Sequence, residues 1–169
     1  MQASEGFSTM PDRVRDHRYS VSVTWQGNRG TGTSAYGAYG RDYEISADGK
    51  SPIAGSSDPA FRGDRTRWNP EDLFVASVSA CHQLWYLHLA ADAGIVVTAY
   101  ADQAEGVMEE YADGSGRFVR VVLRPVVTVA AGSDVARAGD LHRTAHEKCF
   151  VANSVNCPVI CEPRIVVAD

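Results

Sequence analysis

The run from Leu73 to Ala91 holds no Asp, Glu, Lys or Arg, and that restricts the fold of this chain more than any other feature. It is introduced by Asn69-Pro70-Glu71-Asp72. Asparagine can cap a helix, proline suits the first helical position, and two acids complement the positive end of the helix dipole. These signals predict a helix from Asn69 to about Asp92, with Gly94 as its terminator. Apolar residues occur nearly all round it, so it must be surrounded rather than laid on a surface. Its length approaches that of a membrane span. Ser77, Ser79, His82, Gln83 and His88 interrupt it and no second span accompanies it, so the reading is a helix buried in protein.

A chain of 169 residues has room for one domain with a real core, taken as 1–169 with a flexible leader over 1–16. Hydrophobic residues make up 44% and charged residues 22%, which excludes the composition of a disordered chain. A net charge of -5 gives no drive toward nucleic acid or anionic membrane. The leader lacks the apolar segment of a signal peptide, so the expected location is cytoplasmic.

Around the long helix the pattern is α+β. Tyr19 to Trp25 alternates with the period of a half-buried strand. Gln26 to Thr33 places three glycines around Arg29 and reads as a turn. Tyr36 to Ile45 suggests one or two strands broken by Gly37 and Gly40. Ser46 to Arg67 reads as a long surface connection with a short strand near Ile53. Val96 to Glu110 and Arg117 to Ala130 form a hairpin joined through Ala112-Asp113-Gly114-Ser115-Gly116. Ser133 is read as the cap of a second helix, Asp134 to Lys148, with a helical turn over Cys149 to Val155. Pro158 to Val167 closes the chain as an edge strand.

Four cysteines, Cys81, Cys149, Cys157 and Cys161, carry the chemical interest. In a reducing compartment they are free thiols, so a functional pair would be redox-active or metal-binding. Cys157 and Cys161 flank a β-like Pro-Val-Ile and are expected to pack as small apolar residues. Cys81 stands at the middle of the long helix. A thiol attacks only as thiolate and needs nearby positive charge, yet its same-face neighbours Ser77 and Trp85 have none, and His82 points about 100° away. Arg29 is the natural external candidate, with Arg41 in reserve.

Glu71 could orient such an arginine through a bidentate contact. It stands about 15 Å from Cys81 along one straight helix, so the two meet only if the helix bends or a second subunit supplies Glu71. Antiparallel packing of two such helices would achieve that. If Cys149 lies close to Cys81, thiolate attack on a peroxide would make a sulfenic acid that Cys149 condenses with. A metal site built from Cys81, His82, His146 and Cys149 has suitable atom types but no paired C-x-x-C framework.

These motifs resemble the OsmC/Ohr family of hydroperoxide-reducing proteins. The resemblance rests on Trp25-Gln26-Gly27, Arg29-Gly30-Thr31-Gly32, Asn69-Pro70-Glu71-Asp72-Leu73-Phe74 leading to Ala80-Cys81-His82, Gly94-Ile95, and Cys149 before a terminal strand. It implies an intertwined homodimer in which antiparallel sheets enclose paired long central helices, with reactive sites at the interface. It implies Cys81 as the peroxide-attacking cysteine, Cys149 as its resolving partner, Arg29 as the activating arginine and Glu71 as the acid that positions it. It further implies organic hydroperoxide substrates, a dithiol reductant, and no metal, haem or flavin. Phe150 follows Cys149 where many active members have proline, His82 stands where Phe is common, and no double glycine precedes Arg29. The sequence is therefore closer to the OsmC-like branch than to Ohr, and a binding or structural role with little peroxidase activity is the alternative.

Overall fold

The computed structural model describes residues 15–169, so most of the leader expected at 1–16 lies outside the described residues. The elements are β1 (Ser22–Trp25), β2 (Tyr43–Ser46), β3 (Ile53–Gly55), α1 (Pro70–Asp92), β4 (Val97–Asp102), β5 (Glu105–Glu110), β6 (Gly116–Leu123), β7 (Pro125–Val129), α2 (Val135–Lys148), β8 (Val159–Cys161) and β9 (Arg164–Val167). Short 3-10 turns occupy Pro59–Phe61 and Ala152–Ser154.

Helix α1 begins and ends where its caps require. The Asn69 side chain accepts from the Asp72 N–H at 2.7 Å, and Gly94 takes φ +70 just past the end, a value that costs a residue with a Cβ far more. One stripe of the helix is buried within the chain: Val78, His82, Tyr86 and Ala90, an i, i+4 series on a single face. Tyr86, Ala90 and Ile95 form a core with Val127, Val129, Ala138, Leu141 and Ala145. The Tyr86 hydroxyl donates to the Ala138 carbonyl at 3.1 Å, locking α1 to α2. A second cluster joins Val78 to Val121 and Leu123. The opposite face of α1 is uncovered, and Leu84 is 68% exposed.

The expected hairpin is present, but each arm is split. β4 pairs with β7 and β5 with β6, both antiparallel. The break falls at Arg124, whose N–H goes to the Asp102 carboxylate at 2.7 Å instead of a strand partner. The guanidinium of Arg124 spans Glu105 at 3.0 Å and Glu162 at 3.2 Å. The terminal segment likewise divides into β8 and β9, which run parallel to β6 and β7. These two sheets are therefore mixed rather than purely antiparallel, because the chain returns through α2 and re-enters each sheet at its edge.

Two further expectations need correction. Residues 36–41 form bends, not strands, and β2 starts only at Tyr43. The cap of α2 is Asp134 rather than Ser133: its carboxylate accepts from the Arg137 N–H at 2.9 Å.

The sheet β1-β2-β3 is anchored to the rest mainly at its exit. Gly55 bridges Trp68 and Ser56 N–H donates to the Trp68 carbonyl at 2.9 Å, immediately before the α1 cap. Every residue of β1 is exposed, including Val23 at 63% and Trp25 at 43%. No helix among the described residues is long and apolar enough to cross a membrane.

The cap analysis gives a stability prediction. Asn69→Ala should lower unfolding free energy by about 1 kcal/mol, read by denaturant titration at fixed protein concentration, while Asn69→Asp should recover most of it. Equal stability of Asn69→Ala and the parent would contradict this account of the helix start.

Candidate active site

Cys81 lies half-buried at the middle of α1. With Leu84, Trp85 and His88 it forms the next surface round the helix, at the i, i+3, i+4, i+7 spacing of one face. Phe150 closes the other side, leaving a largely apolar cleft of about 300 Å³. Phe150 meets Trp85 edge to face at 5.5 Å, and Trp85 meets His88 at 5.7 Å. The Lys148 ammonium stands 5.7 Å from the centre of the Trp85 ring.

Cys149 is fully buried and caps the C-terminus of α2. The chain turns tightly after it. Its sulfur accepts from the Ala152 N–H at 3.4 Å, its carbonyl accepts from the Asn153 N–H at 3.0 Å, and the Asn153 amide donates to the Glu147 carbonyl at 2.9 Å. Burial first, and then hydrogen bonding to the adjoining Cys81 side chain, together push the Cys149 thiol up to about 11. The two cysteines expected to act together thus meet side chain to side chain, as free thiols. The meeting depends on α1 and α2 packing, which brings the middle of one helix to the end of the other.

Arg29, Arg41 and Glu71 are not brought to this cleft, whose lining includes no arginine and no acid. Arg29 is exposed after β1, its guanidinium beside Gly40. The loop there is tight: Gly27 packs so closely that a Cβ on it would stand 1.9 Å from the Gly40 oxygen. Arg41 is committed elsewhere. It lies over the rings of Tyr36 at 4.4 Å and Tyr39 at 4.1 Å and donates to both their carbonyls, at 2.8 and 2.7 Å. Arg29 makes no ion pair among the described residues. Glu71 sits in the first turn of an unbroken α1, bordering a separate cavity of about 440 Å³ with Trp68, Gln83 and Asp102, and its charge raises the Tyr43 pKa after burial has done so.

The four-residue metal alternative is not assembled. Among the described residues the convergent His/Cys group is instead His82, His142 and Cys161. His82 points away from Cys81 and contacts His142, with Nε2 and Nδ1 2.9 Å apart. Cys161 contributes to the apolar cluster as expected, and so does Cys157, but the Cys161 sulfur also stands 3.6 Å from His82 Nε2 and 3.8 Å from His142 Nδ1. Sequence reading singled out neither His142 nor this role of Cys161. The i, i+4 pair His142 and His146, together with a histidine in a charge-free helix, was the available signal.

The comparisons with known proteins concern the family and the fold. Residues 63–163 match the family model described as OsmC-like protein. An OsmC-like protein of unknown function from Vibrio cholerae is 32% identical, with TM-score 0.79 over 88% of this chain and 99% of that one. An organic hydroperoxide resistance protein from Elizabethkingia anophelis, 19% identical, shares the fold with TM-score 0.64 over 91% of this chain and 100% of that one. An organic hydroperoxide resistance protein OsmC from Legionella pneumophila, 20% identical, does so with TM-score 0.64 over 89% and 99%. No curated protein matches the chain. The fold is the mixed α+β fold of these proteins, and the chain belongs to the OsmC-like family.

The contrast between the thiols is testable by alkylation. With limiting iodoacetamide near neutral pH, Cys81 should be labelled at least ~10-fold faster than Cys149, which is held protonated until the pH nears its raised value. Peptide mass spectrometry gives the order, and equal or faster labelling of Cys149 would contradict the assignment.

Proposed function

We propose that this protein is a thiol-dependent peroxidase that reduces organic hydroperoxides, with Cys81 as attacking residue and Cys149 as resolving residue. The observation that carries the reading is that Cys81 adjoins the buried Cys149 closely enough for its side chain to raise that thiol's pKa. The apolar walls of Leu84, Trp85 and Phe150 beside Cys81 suit the organic part of a hydroperoxide. Membership of a family whose structural relatives include organic hydroperoxide resistance proteins adds weight.

The steps balance as follows. The Cys81 thiolate attacks the outer peroxide oxygen, the O–O bond breaks, and the alcohol leaves after taking up a proton. Cys81 is now a sulfenic acid. The Cys149 sulfur attacks the Cys81 sulfur, the S–O bond breaks, and water leaves with the Cys149 proton. A dithiol then reduces the Cys81–Cys149 disulfide and becomes oxidised itself. The raised Cys149 pKa fits its place in the sequence, since it stays a thiol and is not the residue that meets the peroxide first.

The activating group is proposed to come from a two-fold partner. Glu71 is ten residues from Cys81 on the same unbroken helix, about 15 Å along its axis. Leu84 on α1 and Val23 on β1 are exposed at 68% and 63%, apolar surface that suits an interface. Antiparallel pairing of two α1 helices would bring the Glu71 end of one toward the Cys81 of the other. Arg29 is the better candidate for the activating arginine, since Arg41 already holds its own loop. The proposed setting is a reducing, cytoplasmic one, with 1–169 as a single domain.

Hydroperoxide consumption with a dithiol reductant should be lost in Cys81→Ser and Cys149→Ser, with a sulfenic acid trapped by dimedone only in the latter. Arg29→Ala should slow consumption ~10-fold or more, the effect of one lost cation on a thiolate. Light scattering after size-exclusion chromatography should give a dimer. Full activity in a monomer would refute the shared site, and hydroperoxide loss independent of Cys81 would favour a binding or structural role.

A further inference from the structure

Behind Cys81, on the buried side of α1, three ligand-type atoms from three elements converge. His82 comes from α1, His142 from α2 and Cys161 from the end of β8. Their Nε2, Nδ1 and Sγ atoms are separated by 2.9, 3.6 and 3.8 Å. A tetrahedral zinc ion with metal–nitrogen bonds near 2.0 Å and a metal–sulfur bond near 2.3 Å would set its ligands about 3.3 Å (N to N) and about 3.5 Å (N to S) apart. The triangle is thus close to one face of a zinc tetrahedron, needing only a slight opening between the rings.

The hydrogen-bonding arithmetic points the same way. Both histidines are buried, at 1% and 3% exposure. As neutral rings, one must present N–H and the other a lone pair across their 2.9 Å contact. The Cys161 S–H then competes with that N–H for the same lone pair. A cation at the centre removes the competition: two ring lone pairs and a thiolate all donate to it.

We propose that His82 Nε2, His142 Nδ1 and Cys161 Sγ bind one zinc(II) ion per chain. Mixed imidazole and thiolate donors select a borderline-soft cation of this kind. The fourth position faces a cavity of about 310 Å³ bordered by His142, His146, Cys161 and Pro163, through which water reaches the ion. His146, one helical turn beyond His142, has a buried Nδ1 without a partner among the described residues and is placed to hold that water. The Asp102 carboxylate, which acts on both His82 and Cys161 and is fixed by Ser79 and Arg124 at 2.5 and 2.7 Å, offsets the net positive charge. The ion would tie α1, α2 and β8 together one residue from Cys81, while remaining separate from the Cys81 and Cys149 thiols.

The test uses tag-free full-length protein, stripped with a chelator and kept reduced with a phosphine. Titration with zinc against a chromophoric chelator should show one equivalent bound per chain. Cobalt(II) in its place should give a tetrahedral d–d spectrum with a thiolate charge-transfer band. Cys161→Ser should abolish that band and weaken zinc binding at least tenfold, and His142→Gln should weaken it comparably, with circular dichroism confirming the fold of each. Cys81→Ser should bind zinc like the parent. No zinc uptake by the parent protein, a cobalt spectrum without the thiolate band, or loss of binding in Cys81→Ser would each overturn the proposal, whatever the fate of the peroxidase reading.

Discussion

The packing of α1 on α2 is the contact on which the rest depends. A helix with no charge between Leu73 and Ala91 has no face content with water, and the chain covers one stripe of it with α2 and the strands behind. Tyr86 is the centre of that contact, fully buried, stacked on His142 with centroids 4.0 Å apart and bonded to the Ala138 carbonyl. Because the helices are held at this point, the end of α2 falls beside the middle of α1, and Cys149 meets Cys81. The same packing brings His142 to His82. Two groups of cysteine and histidine side chains therefore stand on different faces of one helix, set there by one interface.

The two sides differ in character. On the outer side an apolar cleft leaves Cys81 partly accessible, with Cys149 protected beneath it. On the inner side the imidazoles of His82 and His142 are shut from solvent, and Cys161 beside them is partly buried. Adjacent positions 81 and 82 thus face different media, as the rotation of about 100° per residue requires. Desolvation raises the Cys149 and Cys161 thiols alike, and Cys149 is the more deeply buried of the Cys81 and Cys149 pair.

Much of this was legible in the sequence, and what was missed has physical reasons. The Asn-Pro-Glu-Asp start and the Gly94 stop located α1 to the residue, since cap chemistry is local. The hairpin was visible in β-rich runs around a glycine turn, but its central break was not, because it depends on Asp102 reaching Arg124 across the sheet. Tyr36 to Ile45 looked β-like from its aromatics, yet Arg41 folds back between Tyr36 and Tyr39 and holds the loop in bends. Cys81 and Cys149 could be paired only through the family resemblance, since no local pattern reports a contact between residues 68 positions apart. The meeting of His142 and Cys161 with His82 was not legible for the same reason: it arises only where three elements converge.

The central claim is that Cys81 and Cys149 form one redox pair. Treating the reduced protein with one equivalent of an organic hydroperoxide, blocking the remaining thiols and mapping peptides without reduction tests it directly. The account predicts a single intrachain disulfide between Cys81 and Cys149, with Cys157 and Cys161 recovered as blocked thiols. Absence of that disulfide, or a bond that instead engages Cys157 or Cys161, would contradict it.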